Sequence, residues 1–260
     1  MTRAVQARQL ADTLRDRLGS RRLVLLIDFD GLLASTAVQI EPSAFDEGVR
    51  ATLERVAGVH PLYVISGREA SDLRARIRVE GVAYVGALGF DLMDALPDID
   101  RQALDEAVIE LETAANEIEH WLDYIEGVVI ERRKFSFALH YRMVDKEDLQ
   151  QINAASGDVL ERYASLNWRK GKKVIEFVPD MPWDKGLCVR AVIARHEETS
   201  GSGALFPVFL GDDPGDEDVF RVLDPARELG VLVALGERAS AAEFRLHDQE
   251  AVAAFLAELA

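Results

Sequence analysis

Asp28 and Asp30 flank Phe29 and precede Gly31 at the end of the apolar run Leu23–Ile27. In an extended strand the two aspartates project to one side and Phe29 to the other. Carboxylates that close repel unless a proton or cation lies between them. A hard, oxygen-seeking ion such as Mg²⁺ meets that need, and Gly31 permits a sharp turn that lets both acids face one cavity. Taken alone, the pair also fits two solvated acids at a strand end. Its meaning depends on three later stations.

The second station follows the run Leu62–Ile65: Ser66, Gly67 and Arg68 open a helical pattern from Glu69 to about Arg78. A strand that turns into a helix start presents backbone N–H groups and a hydroxyl to an anion. Ser66 suits that role or simple N-capping of the helix; Arg68 could reach the same anion or a more distant substrate group. At the third station Lys185 and Gly186 open a helical stretch running to about His196. A helix start favours acids, not a lysine, so Lys185 is expected either to hold a phosphate oxygen and neutralise Asp28 or to be a surface lysine. The fourth follows the apolar strand Leu205–Leu210 and packs Asp212, Asp213, Asp216, Glu217 and Asp218 into the eight positions Gly211–Asp218. Acids held at the carboxyl end of a parallel strand point to a metal site.

In this order the four stations resemble the motif set of the haloacid dehalogenase superfamily of phosphatases. Gly171–Pro179 ahead of Lys185, Ala138–Arg142, and the acidic run ending at Phe220 narrow the likeness to trehalose-6-phosphate phosphatases, from about Leu23 to the C-terminus. The resemblance implies Asp28 as the nucleophile that takes the phosphoryl group and Asp30 as the general acid and base. It implies phosphate binding by Ser66 and Lys185. Mg²⁺ would be held by Asp28, the Asp30 carbonyl and Asp212, with Asp213 and Asp216 ordering its waters. Such chemistry is coherent, because a carboxylate is a weak nucleophile until metal and lysine neutralise the incoming phosphate. Three positions depart from the pattern. Leu32 stands where the superfamily usually has Thr, and in Ala87-Leu88-Gly89-Phe90-Asp91, where the family has His-Gly-x-Glu, Leu88 replaces the His and Asp91 the Glu. The implied substrate is trehalose 6-phosphate, with another glycosyl or polyol phosphate, or a weakly active or non-catalytic sugar-phosphate-binding regulator, as alternatives.

The elements around these stations alternate strand and helix. An amphipathic helix from Thr2 to about Ser20 precedes Leu23–Asp28, a helix over Ala44–Val56, Leu62–Ser66, a helix to Arg78, and Ala83–Gly86. That alternation predicts an α/β, Rossmann-like core: a parallel sheet with helices on both faces. From about Leu92 the character changes. Two long helical stretches (Ile99–Tyr124 and Lys146–Tyr163) are interleaved with strands near 127–131, 135–141, 166–169 and 173–178. Residues 92–180 therefore read as an α+β cap inserted into a core of 1–91 and 181–260. Within the cap, period-two spacing puts Lys172, Val174 and Glu176 on one face. Arg142, Lys172 and Glu176 are the substrate-binding candidates, with a cross-strand charge pair the other reading of Glu176. His140 reads as structural, and Trp168 and Trp183 suit core packing better than a sugar face.

The 260 residues carry a formal net charge of -16, which argues against nucleic acid or an anionic membrane as partner and leaves a small sugar phosphate. One cysteine, Cys188, excludes an internal disulfide and fits the reducing cytoplasm. No apolar segment precedes the charged first helix, so neither secretion nor a membrane span is expected.

Overall fold

The computed structural model describes residues 2–33, 45–90, 100–171, 173–201 and 203–260. Lys172 and Asp91 lie outside the described residues. The chain divides into two compact units, Met1–Ala95 with Trp183–Ala260, and Leu96–Pro182.

The first unit is built on a seven-stranded sheet. Its strands are β1 (Arg3–Ala4), β2 (Arg22–Asp28), β3 (Leu62–Ile65), β4 (Val82–Val85), β9 (Leu205–Gly211), β10 (Leu229–Val233) and β11 (Phe244–Leu246). They run in the order β1-β11-β10-β9-β2-β3-β4, every neighbouring pair parallel. β2 and β9 lie side by side at the centre, and all of β9 and all of β2 after Arg22 are buried. Their unbroken apolar runs reflect helices on both faces. One face packs Leu25, Ile27, Val64 and Val208 with the helices α1 (Ala7–Leu18), α2 (Glu47–Val59) and α8 (Gln249–Ala257). The other packs Val24, Leu26, Ile65 and Phe209 with α6 (Lys185–Thr199) and α7 (Asp216–Val222). Both acidic stations thus sit at the carboxyl ends of adjacent central strands.

The expected first helix is shorter than its amphipathic pattern: it starts at Ala7, and Arg3–Ala4 instead adds an edge strand along β11. Backbone bonds from Arg3 N–H to the Glu243 carbonyl (2.8 Å) and from Val5 N–H to the Arg245 carbonyl (3.0 Å) seal this edge. Strands of two and three residues are too short to leave a periodic signature.

The second unit holds a four-stranded antiparallel sheet, order β5-β6-β8-β7, from β5 (Val129–Arg133), β6 (Ser136–His140), β7 (Leu166–Gly171) and β8 (Val174–Pro179). The helices α4 (Arg101–Trp121) and α5 (Leu149–Arg162) cover one face. Asp100 caps α4 by accepting from Ala103 N–H at 3.1 Å, and Leu104, Ala107, Leu111, Ala114 and Ile118 form its buried stripe. β8 alternates as a half-covered strand should: Ile175 and Phe177 are buried, whereas Val174 and Glu176 share the more open face. Phe137 and Phe177 stack at 4.5 Å across β6 and β8, a contact of about 0.5–1.5 kcal/mol beyond area burial. Among the described residues no helix is long and apolar enough to cross a membrane.

Candidate active site

Asp28 closes β2 and Asp212 follows directly on β9. Asp216 begins α7, and Lys185 begins α6 behind its cap Asp184, which accepts from Leu187 N–H at 2.8 Å. These four side chains converge. The Lys185 ammonium lies 2.8 Å from Asp28 Oδ1 and 2.5 Å from Asp216 Oδ1. Asp28, Asp212 and Asp216 each offer a carboxylate oxygen, all within 4.8 Å of one another. Lys185, a lysine at a helix start, is buried, as are Asp28 and Asp216.

The electrostatics follow from that burial. Burial raises Asp28 well above the ordinary carboxylate range; Lys185 opposes the shift, and Asp216 and Asp213 add to it. Asp216 is raised by burial too, again against Lys185. Asp212 is pushed up to about 6 by burial and by Asp216 and Asp213, with Lys185 and Arg238 pulling the other way. For Lys185 burial disfavours the charge, yet Asp28, Asp216 and Asp213 outweigh it, and its pKa is raised. Fully ionised, three carboxylates around one ammonium carry a charge of -2, so a divalent cation would restore neutrality. Asp212 Oδ1 is buried and has no hydrogen-bond partner among the described residues. An orphaned carboxylate oxygen beside two further carboxylates suits a hard cation such as Mg²⁺.

The remaining candidates divide into three groups. Asp30 is bonded by Arg68: Nε lies 3.0 Å from both carboxylate oxygens, and a terminal nitrogen 3.0 Å from Oδ1. Arg68 also reaches Asp72 at 3.3 Å, so the guanidinium expected to meet an anion or substrate group is here spent on two aspartates. Its burial works against the charge, and the bonds to Asp30 and Asp72 raise its pKa nonetheless. Ser66 is buried; its hydroxyl donates to Asp30 Oδ2 at 3.3 Å and accepts from Arg68 N–H at 3.1 Å. It does not cap the next helix, α3 (Ala70–Ile77), which starts behind Glu69.

Asp213 and Asp216 tie the acidic loop to itself. Asp216 Oδ2 accepts from the Asp212 and Asp213 amides at 2.7 and 2.9 Å, while Asp213 Oδ1 accepts from Asp216 N–H at 2.9 Å. Asp213 stands outside the three-carboxylate group. Arg142 and Glu176 belong to the second unit. Arg142 is exposed in the turn after β6. Glu176 Oε1 lies 3.4 Å from Arg133 and accepts from Ser136 Oγ at 3.3 Å, which is the charge pair between strands.

Two departures from the expected pattern take structural form. Leu32 is buried in the core beside Phe29, Leu33 and Phe45. Ala87, Leu88 and Gly89 have φ of 47°, 52° and 92°, a left-handed run that costs the two non-glycine residues about 1–2 kcal/mol each. Backbone bonds pin this run to the second station, from Ala87 N–H to the Arg68 carbonyl (2.6 Å) and from Leu88 N–H to the Ser66 carbonyl (3.0 Å). Trp183 Nε1 donates to the Leu88 carbonyl at 2.8 Å, a role its apolar bulk did not signal.

Gly31 joins the first station to the fourth. Its φ is 88°, and a Cβ there would sit 2.1 Å from Asp212 Oδ2. Gly31→Ala is expected to lower stability by about 1–3 kcal/mol from the clash, added to the left-handed strain. Gly19→Ala is the comparison without a clash, since Gly19 also has a positive φ of 58° and no described atom within 4 Å of a Cβ. Thermal unfolding of the two variants gives the comparison; equal midpoints would show that Gly31 is not a steric requirement of the site.

The chain is similar to known proteins. The family profile described as Trehalose-phosphatase matches residues 26–250. A trehalose-phosphate phosphatase of Mycobacterium avium (strain 104) is 36% identical over 253 residues, covering 94% of this chain and 64% of that protein. Its counterpart in Mycobacterium tuberculosis (strain ATCC 25618 / H37Rv) is 35% identical over 265 residues, covering 99% and 65%. This chain therefore spans less than two thirds of the length of those relatives. In fold it matches the C-terminal domain of Candida albicans trehalose-6-phosphate phosphatase, with a TM-score of 0.72, 19% identity and coverage of 100% of this chain and 98% of that one. With the profile spanning most of its length, the chain belongs to the trehalose-phosphatase family.

Proposed function

We propose that the protein is a Mg²⁺-dependent phosphoric monoester hydrolase, with trehalose 6-phosphate as substrate. The observation that carries the reading is the buried Lys185 set between Asp28 and Asp216, with Asp212 alongside. Burying a cluster of this charge is costly, and such a cost marks it as a site of chemistry. The curated relatives bear the name trehalose-phosphate phosphatase, and that name is the ground for trying this ester first.

In the first step Asp28 attacks phosphorus through its carboxylate. An Asp28 O–P bond forms as the P–O bond to the sugar breaks, and the sugar oxygen takes a proton from Asp30. In the second step water attacks the aspartyl phosphate, gives its proton to Asp30, and releases phosphate and the Asp28 carboxylate. Lys185 and Ser66 bind the phosphoryl oxygens. Asp30 must release at least one bond to Arg68 in order to carry a proton, so Arg68 positions the acid and holds it between turnovers. Mg²⁺, held by Asp28, Asp212 and the Asp30 carbonyl, would supply the positive charge that lets an anionic nucleophile approach an anionic ester. Asp216 orients Lys185 and braces the Asp212 loop. The second unit serves as the specificity cap, with Arg142, Lys172 and Glu176 as its recognition residues. The lone buried Cys188 fits a reducing, cytoplasmic setting.

Leu88 favours a second reading, in which the ester is another glycosyl or polyol phosphate: its side chain cannot hydrogen-bond a sugar. Retention of Asp28, Asp30 and Lys185 together weighs against a non-catalytic regulator. The test is phosphate release from a panel of sugar phosphates, with Mg²⁺ and with chelator. The expected result is a kcat/KM for trehalose 6-phosphate at least about tenfold above that for hexose monophosphates, lost on chelation. Preference for another ester selects the second reading, and no turnover of any ester defeats both.

A further inference from the structure

We infer that Gln249, the first residue of α8, is a positioning residue that sets the turn after Asp30; its importance for turnover rests on the function proposed above. Gln249 Nε2 donates to the Gly31 carbonyl at 2.6 Å, across 218 positions of sequence. The Cα of Gly31 lies against the Asp212 carboxylate, where no Cβ would fit. The turn is therefore held at two points, by an amide on its carbonyl and by a carboxylate against its Cα.

The amide stands on a rigid support. Asp248 caps α8 by accepting from Ala251 N–H at 2.9 Å, and Val252, Phe255 and Leu256 bury the helix in the core. The preceding segment holds the other loop of the site, through an Arg238 bond to the Asp213 carbonyl at 3.3 Å. Gly31, Asp212, Arg238 and Gln249 line one cavity of about 620 Å³, so the end of the chain touches both loops whose spacing the chemistry needs. Asp30 precedes Gly31 directly, so a displaced Gly31 would shift the backbone that carries the Asp30 side chain. Holding a reacting group in place is worth large rate factors, and the Gly31 carbonyl needs a donor that a left-handed turn does not supply locally.

Gln249→Ala and Gln249→Glu test this, with kcat, KM, thermal midpoint and amide exchange over residues 31–33 as readouts. The Leu33 amide, bonded to the Phe29 carbonyl at 3.1 Å, reports the turn. Gln249→Ala is expected to exchange faster there and to lose about tenfold in kcat, the worth of one hydrogen bond, with KM within about twofold. Gln249→Glu matches the wild-type shape but turns an ionised acceptor toward the carbonyl, so its kcat falls further than that of Gln249→Ala. Unchanged exchange in Gln249→Ala, or equal kcat in the wild type and both variants, would overturn the inference. A loss confined to the thermal midpoint would also overturn it, because that marks a merely structural contact. If the wild type hydrolyses no ester, the proposed function fails while the exchange result still decides the role of Gln249.

Discussion

Replacing Asp28 by Asn is expected to abolish turnover, by about 10⁴-fold or more, and to leave the fold intact. The size follows from the role, since removing a covalent nucleophile leaves only binding and electrostatic assistance. The preserved fold follows from the environment. Burial already disfavours the Asp28 charge and raises its pKa, so an uncharged isostere removes a desolvation cost while losing an ion pair to Lys185 at 2.8 Å. Lys185 keeps Asp216 at 2.5 Å as its partner, and the Asn carbonyl can still accept from the ammonium. The thermal midpoint is therefore expected to stay within about 4 °C of the wild type, the size of a change near 1 kcal/mol in a protein this long. Phosphate release and thermal unfolding, measured on the same preparations, check both halves. Substantial turnover in a folded Asp28→Asn protein would exclude the aspartyl-phosphate route. A collapsed midpoint would show that the carboxylate is structural.

What made this site readable was the placement of acids at the ends of buried strands. β2 and β9 are unbroken apolar runs because both faces are covered, and such runs stop where the strand leaves the covered sheet. Asp28 and Asp212 are the residues on which they stop, so the pairing of β2 with β9 brings them together without any special contact. Lys185 was legible for the opposite reason, a charge of the wrong sign at a helix start. The partners of Asp30 were not legible. Arg68 sits 38 positions away, and its choice between a substrate anion and a carboxylate depends on the folded distance. Period-two spacing put Asp28 and Asp30 on one side, yet in the structure Arg68 and Ser66 take the Asp30 side chain while Asp28 faces Lys185. Gln249 carried no signal either, as an ordinary polar residue at a helix start. Its contact depends on the last helix packing beside the first active-site turn. The left-handed pair Ala87 and Leu88 was hidden because neither residue favours that region, and tertiary bonds to Ser66, Arg68 and Trp183 help to hold it.

Lys185→Met is expected to damage stability and activity together, in contrast to Asp28→Asn. Methionine fills the space of the aliphatic stem but leaves Asp28 and Asp216, 5% and 0% exposed, without their cation. Removing one member of a buried ion pair costs about 3–5 kcal/mol because the remaining charge has neither solvent nor partner. At about 2–4 °C per kcal/mol, the midpoint should fall by about 10 °C at pH 7.5 without metal. The sign of the pH dependence is fixed. Asp28 and Asp216 already have pKa values raised by burial, and loss of Lys185 removes the positive charge that opposes the rise. A carboxyl whose folded pKa lies above its unfolded value favours the fold when protonated, so Lys185→Met should regain stability as pH falls from neutrality into the range where these groups take up protons. Catalysis should fall by about 10³-fold, because the incoming phosphate loses its fixed counter-charge. The double variant Lys185→Met with Asp28→Asn removes one orphaned charge and should be more stable than Lys185→Met alone. That sign of coupling separates electrostatics from packing. Additive losses with no recovery at lower pH would mean that Lys185 acts through its bulk, and that the charge balance assigned to the site is wrong.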